Sequence, residues 1–520
     1  MEGRVGTQLR LGELVASLSL ATDLGNGWPL ETALRRAHLA IGIGRRMALP
    51  AAQLSDAYYV SLLAHVGCTA IDYEMGTGYG DGAAMRRVFE NVFFSPPSRQ
   101  MPYIVTHLGA GEPILERTRL VATIMTKAMR EGPRFAAIDC EVMVRFARRL
   151  GMSIGVAGAL NRLWRKWDAG DGAAGGAAVA SVAALAAAME IEHVLAGRDA
   201  ACDLARRERG RWFDPAAVDA FVAGSDELLE PIEAESVWED VIEAEPEPRL
   251  ALQPWQLDDV TAAFADFVDL KSPHLVGHSS GVARLASAAA SLMGLPKEEA
   301  TALLHAGRLH DLGRVSVPNT IWDKAGPLGA AAWERVRLHT YYTERVLAGS
   351  SLLAPFARVA GLHHERADGS GYHRGLRDQM LPPAARILAA ADAYHAMTET
   401  RAHRAALTAT QAASEIAASV DRGWLDRTAA DAVCQAAGQR IAAPRSWPAG
   451  LTDREVEVLR LLARGRSKKE IASRLGIAEG TVHTHVVHVY EKIGVSSRAL
   501  AALFAMEHGL IEPEIYRTMD

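Results

Sequence analysis

Eight residues of ligand type follow one another through the middle of the chain. They are His274, His278, the pair His310-Asp311, His339, the pair His363-His364, and Asp392. Imidazole and carboxylate together suit iron, manganese, zinc or nickel. Asp392 ends the apolar run ILAAAD, so its carboxylate points inward and needs a partner, and a metal is one. Neighbouring helical residues point about 100° apart, so an His-Asp or His-His pair can serve two centres at once. His305 and His395 lack such company and read as ordinary core or surface histidines.

Helices must position these groups. Segments 281–293, 297–309 and 384–397 carry apolar residues at three- and four-residue spacing, and no convincing run of alternating strands occurs. The chain reads as all-α, and ligands spread over several helices suit a site inside a helical bundle.

Length and composition bound the rest. A chain of 520 residues suggests about three domains. Apolar residues at 49% and charged residues at 23% exclude disorder as the main state. A net charge of −6 excludes a strongly basic nucleic-acid coat while leaving room for a small basic module. Four scattered cysteines, without a CxxC pair, fit a reducing compartment. The first twenty residues do not read as a signal peptide. The alanine-rich stretch 177–189 is too short and weakly hydrophobic to span a bilayer. A cytoplasmic protein without a membrane segment is expected.

Between Asp226 and Glu247 lie ten acidic residues and no Lys or Arg, which reads as an acidic connector over 226–250. A second break spans Gln435–Gly450. The expected division is 1–225, a connector 226–250, 251–436, a linker 437–450, and 451–520.

An internal repeat crosses the first break. A shift of 246 residues aligns Asp23 with Asp269, Leu39 with Leu285, Pro50 with Pro296 and Gly67 with Gly313, among ten identities. Later, a shift of 212 aligns Trp212 with Trp424 and Asp214 with Asp426. The first copy lacks the ligands. Thr32 replaces His278, Ala64-His65 replaces His310-Asp311, and Met189 replaces Asp392. It reads as a degenerate copy, either a scaffold or a ligand sensor.

In the second copy, GHSSGVARLA, LHDLGR, RLHTYYTERVL, HHERADGSGY, RILAAADAYHAM and TETRAHR stand in order. Over about 264–404 this resembles the HD-GYP family of metal-dependent phosphohydrolases, several of which hydrolyse cyclic di-GMP. The resemblance implies an all-helical core with two divalent ions, iron or manganese. It makes His278, His310, Asp311 and Asp392 the HD-type ligands, with Asp311 bridging to a second ion on His339, His363 and His364. His274 stands where three-metal members carry Glu. Asp311 and Arg314 would serve catalysis, and Arg374, Arg401 and Arg404 would contact phosphate. Two departures bear on the substrate: Arg314 replaces the family's Lys, and Gly371-Tyr372-His373 lacks the Pro of the signature. Arg keeps charge and a bidentate fork but is no acid or base near neutral pH. Some HD-fold proteins are di-iron oxygenases; the GYP-like loop argues against that chemistry here.

From Leu451 the apolar residues again fall at helical spacing. Thr452 with Glu455 forms a capping-box pattern, Ser467 can cap the next helix, and Gly476 supplies a tight turn. This is a helix-turn-helix pattern, and it resembles the LuxR-type DNA-binding domain throughout. The resemblance makes about 479–493 the recognition helix. Thr481, His483, His485 and His488 would face bases, and Lys468, Lys469 and Lys492 would lie near phosphates. Double-stranded DNA and a homodimer are the implied partners, beside a nucleotide or phosphoester substrate. The combined expectation is a transcriptional regulator coupled to a phosphohydrolase; the alternative is an inactive nucleotide-sensing HD domain that gates DNA binding.

Overall fold

The structure, a computed structural model, describes residues 9–95, 97–109, 113–167, 176–438 and 447–511. The described chain is helical apart from one two-residue ribbon, in which Leu9 pairs with Leu252 and Arg10 with Ala251. It divides into two compact units at Asp259/Val260.

The repeat predicted by the shift of 246 is visible in the elements. Thr32–Arg46 and His278–Leu292 start 246 residues apart, as do Ala51–Leu63 and Lys297–Leu309, each followed by a 3-10 turn. One buried bond recurs. Asp23 accepts the Ala33 N–H at 3.1 Å, and Asp269 accepts the Ser279 N–H at 3.0 Å. In both copies a carboxylate thus caps the N-terminus of the next helix.

The core of the second unit explains how the ligand-bearing helices meet. Val282, Leu285, Ala286 and Ala289 of His278–Leu292 pack on Leu303 and on Ile387, Leu388 and Ala391 of Pro383–Met397. Small residues bring the backbones close. A Cβ at Gly307 would lie 2.6 Å from Ala283 Cα. Pro382 and Pro383 start their helix where a missing N–H costs nothing.

One boundary and one length differ from the sequence reading. Stretch 226–250, expected as an acidic connector, is built into the first unit. Its Ile232 and Val241 are buried, and Glu245 accepts from Arg10 Nε at 3.0 Å and from the Tyr59 hydroxyl at 2.7 Å. The charge pattern shows the wet face of these short helices; their buried apolar residues are too few to stand out. The stretch 177–189, read as too short to span a bilayer, belongs to the helix Ala177–Ala196, which is long and apolar enough to do so, but most of it is buried inside the first unit as a core helix. Most of the linker 437–450 lies outside the described residues.

Candidate metal centre and DNA-binding face

Apart from His274, which lies in a turn, each ligand-type residue of the second unit sits at or near a helix end or in a helix interior. His278 is the first residue of its helix, after Gly277 at φ 82°. His310 and Asp311 lie between Lys297–Leu309 and the turn Leu312–Ser316. His339 and Asp392 lie inside Ala330–Ala348 and Pro383–Met397, and His363-His364 follow Ala354–Gly361.

The two oxygens of Asp311 face different histidines. Oδ2 is 3.1 Å from His310 Nε2 and 3.5 Å from His278 Nε2. Oδ1 is 3.5 Å from both His339 Nε2 and His363 Nε2. Asp392 completes the first group, with Oδ1 3.3 Å from His278 Nε2, and its Oδ2 lies 3.8 Å from His364 Nδ1. His339 Nε2 and His363 Nε2 stand 3.2 Å apart. Seven predicted ligands thus converge on two adjoining groups, joined by one carboxylate.

Hydrogen bonds orient the rings. His310 Nδ1 donates to Gly307 O at 2.7 Å, His363 Nδ1 to Ala360 O at 2.6 Å, and His339 Nδ1 to Val336 O at 2.5 Å. In each case the partner is the carbonyl three residues earlier. This holds the tautomer whose Nε2 lone pair faces the centre. His278 uses a side chain instead: its Nδ1 is 2.9 Å from Glu399 Oε2.

The donor set fits metal ions. Nε2 of His278, Nε2 of His310 and both oxygens of Asp311 are buried without a hydrogen bond. Unmatched buried acceptors are costly, and a cation matches them. Electrostatics favour the ligand forms of Asp311, Asp392, His339 and His364. At His278 and His310 facing carboxylates overcome burial, raising His278 well above its ordinary value and His310 to about 9, so a metal ion would displace a proton from these two rings. Burial pushes Asp311 up, but Arg314 and His310 outweigh it and hold the carboxyl well below its usual range. Asp392 is likewise held down, by His278 and His310 against burial. Burial pulls the His339 imidazole down to about 3 and His364 well below its ordinary value, so both stay neutral.

The other predicted residues spread around this centre. Arg314 Nη2 is 2.7 Å from Asp311 Oδ2, and its guanidinium stacks on Trp322 at 4.4 Å. Arg401 Nη2 donates to Glu399 at 2.7 Å and lies 3.1 Å from His278 Nδ1. Arg374 is engaged by Glu344 at 2.6 Å. Arg404 donates to the carbonyls of Ala396 and Met397, closing a helix end. His274 belongs to none of the ligand groups among the described residues; it lines a small cleft with His395, Thr400 and Arg466. Tyr372 of the GYP-like loop lies over His364 at 4.5 Å between rings.

Sequence reasoning missed Glu399, and His395, read as a core or surface histidine, is buried. Both stand beside His278, with His395 Nδ1 3.3 Å from Glu399 Oε1. The only hint was their i, i+4 spacing one and two turns beyond Asp392.

In the C-terminal region Thr452 and Ser467 each close a capping box, with Glu455 and Glu470. Gly476 takes φ 64° between Lys468–Leu475 and Glu479–Ile493. Val482, Val486, Val489 and Ile493 bury one face of the latter helix. Thr481, His483 and His488 are exposed and His485 is half-buried. Lys468 and Lys469 are exposed at the start of the preceding helix, and Lys468 Nζ is 2.8 Å from His483 Nδ1. Lys492 pairs with Glu455 at 2.7 Å.

A centre of this ligand set on this helical core defines an HD domain, and the region that follows defines a helix-turn-helix module. Residues 262–429 match the HD domain family, and residues 449–505 match the luxR family of bacterial regulatory proteins. The chain thus joins an HD domain to a LuxR-type helix-turn-helix domain. It is 28% identical over 409 residues to 3'3'-cGAMP-specific phosphodiesterase 3 of Vibrio cholerae, covering 76% of this chain and 88% of that protein. It is 36% identical over 129 residues to the cyclic di-GMP phosphodiesterase of Thermotoga maritima, covering 24% of this chain and 35% of the relative. A solved cyclic GMP-AMP-specific phosphodiesterase from V. cholerae shares the fold at TM-score 0.57 and 24% identity, covering 83% of this chain and 98% of that one.

Proposed function

We propose that the HD domain hydrolyses a phosphodiester bond of a 3'3'-linked cyclic dinucleotide, cyclic GMP-AMP or cyclic di-GMP, and that this activity sets the output of the DNA-binding domain. The observation that carries the reading is Asp311, buried, with one oxygen facing each histidine group. A single ion would leave half of that ligand set unused. Iron or manganese bound by these residues would supply an activated water and a clamp on phosphoryl oxygens.

The chain's own residues do the rest. His278, His310, Asp311 and Asp392 form one ligand group, and His339, His363 and His364 the other. The Nδ1 bonds fix ring orientation and exclude the wrong tautomer. Arg314, braced by Trp322, holds positive charge beside Asp311 without donating a proton. Arg401 is the nearer of the other arginines to the ligands. The protein works as a cytoplasmic homodimer, since a helix-turn-helix domain reads paired half-sites.

A second reading rests on Arg314. Its ion pair with Asp311 makes a domain that binds nucleotide without turnover a specific alternative. The test is a product assay. The protein, loaded with manganese or with ferrous iron under reducing conditions, is incubated with both cyclic dinucleotides, their linear products and other phosphoesters. Metal-dependent products, absent with Asp311→Ala, support hydrolysis. Metal binding without products favours the sensor.

A further inference from the structure

The second unit holds both the HD domain and the helix-turn-helix module. The two meet beside the first metal ligand. His278 opens its helix directly after the turn that runs through 273–277. Side chains brace the ring and this turn from outside. Glu399 Oε2 lies 2.9 Å from His278 Nδ1, and Arg401 Nη2 donates to the same oxygen at 2.7 Å. Arg401 Nη1 donates to the His274 carbonyl at 3.4 Å. The Ser272 hydroxyl anchors the start of the turn on Asp323 at 2.6 Å.

The module covers the outer side of the same turn. A Cβ on Gly465 would lie 2.6 Å from Pro273 Cβ, and one on Gly277 would lie 3.7 Å from Ile511 Cγ2. Between these contacts remains a cleft of only about 40 Å³, where Leu461, Arg464 and Arg466 of the module face His274, Glu399 and Thr400. It has room for a few water molecules at most, so the docking is close. Thr481, His483, Lys468 and Lys469 stay exposed, so the module docks with its recognition face open.

Gly465 is fitted to this contact. It takes φ 80°, and a side chain there would run into Pro273. Gly494 gives the contrast: φ is 66°, and nothing lies within 4 Å of a Cβ.

Two sites that share one segment influence each other. With the centre loaded, the His278 ring is fixed through both nitrogens, and the turn leading into it is fixed as well. A docked module fixes that turn from the other side. Whichever event comes first orders the turn, and the second is favoured. Linkage makes the effect equal in both directions.

We propose that the turn 273–277 couples the metal centre to the helix-turn-helix module: the docked module positions His278, and the loaded centre holds the module docked. Pro273 and Gly465 are then positioning residues that act on the metal through His278. This coupling rests on the metal-binding part of the proposed function and needs no turnover.

The test places asparagine at two glycines of the module in the full-length protein. Asparagine tolerates positive φ, so Gly465→Asn and Gly494→Asn make the same demand on the backbone, but only the first meets Pro273. Manganese affinity is read by competition with a chelating dye. It should fall at least about fivefold in Gly465→Asn, the low end of typical coupling, and stay unchanged in Gly494→Asn. Ile511→Ala trims the second contact without backbone strain and should lower the affinity in the same sense. Circular dichroism checks that all three variants fold. Hydrogen exchange with mass spectrometry reads the other direction. Manganese should slow exchange in peptides over 461–466 and 510–511 of the unmodified protein and leave them unchanged in Gly465→Asn. Wild-type affinity in both contact variants, or exchange in these peptides that ignores bound manganese, would overturn the coupling. Absence of manganese from the unmodified protein, read by inductively coupled plasma mass spectrometry, would strike the metal site itself and the coupling with it.

Discussion

His278 and Glu399 meet at 2.9 Å through Nδ1 and Oε2, and this contact turns the other ring nitrogen toward Asp311 and Asp392. The carboxylate thus acts on the metal site through the ring without being a ligand of the central groups. Outer carboxylates of this kind typically contribute about 10–100-fold in metal affinity. Glu399→Gln keeps the shape and a hydrogen bond but loses the charge. Its metal affinity, measured by competition with a chelating dye, should fall by about that factor. An unchanged affinity would make Glu399 a packing residue.

Asp311→Ala removes the one carboxylate shared by both groups. Bound metal, measured by inductively coupled plasma mass spectrometry, should fall to the level of a protein without a site. Helix content by circular dichroism should stay, because the side chain packs against ligands and not in the apolar core. Full metal content would refute the site.

Gly313 lies under the helix Ala330–Ala348, where a Cβ would collide with the His339 carbonyl and lie 2.5 Å from the Thr343 amide. Gly313→Ala should push His339 away from Asp311. We expect lowered metal content together with a thermal transition lower by several degrees, as overpacking typically costs about 1–3 kcal/mol. Loss of neither would show that the helix can shift freely.

DNA binding should separate by residue. Lys468→Ala should weaken binding to all sequences and lower the salt slope by about 1, as for one lost phosphate contact. The double variant Thr481→Ala, His485→Ala should weaken a fragment selected from a random pool without changing dinucleotide hydrolysis. Lys492→Ala should cost less affinity than Lys468→Ala, since Glu455 already holds Lys492. Fluorescence anisotropy over a salt series measures all three.

Stability of the first unit should depend on pH. Burial raises the Asp139 carboxyl from 3.8 to about 7, against the pull of Arg86 and of contacts from Trp164 and Cys68. Glu90, buried beside Arg36 and Glu190, is also raised to about 7. Between about pH 4 and 7 the folded state therefore holds protons that the unfolded chain has lost. Stability should fall as pH rises through that window and level off above it, by up to about 1.4 kcal/mol per pH unit for each group. Asp139→Asn should flatten the slope in thermal melts across this range. An identical slope would place the titration elsewhere.

Much of this protein is legible in its sequence because the signals are local. Caps such as Thr452 with Glu455 span three residues, and helix periodicity spans ten or so. The ligand order His278, His310-Asp311, His339, His363-His364, Asp392 was readable because each ligand-type residue sits in its own short motif. The shift of 246 was readable because the first helices of both copies kept their lengths. Tertiary structure alone decided the rest, since those contacts join distant segments. Glu399 reaches His278 across 121 positions, and Arg36 reaches Glu190 across 154. No local pattern marks either pair. The folded chain alone shows that Arg404 closes a helix end, that the acidic stretch packs into the first unit, and that the helix-turn-helix module packs on the turn before His278. Sequence types determine which chemistry is available, and packing decides which side chains meet, because a buried charge must find its partner wherever the fold brings one.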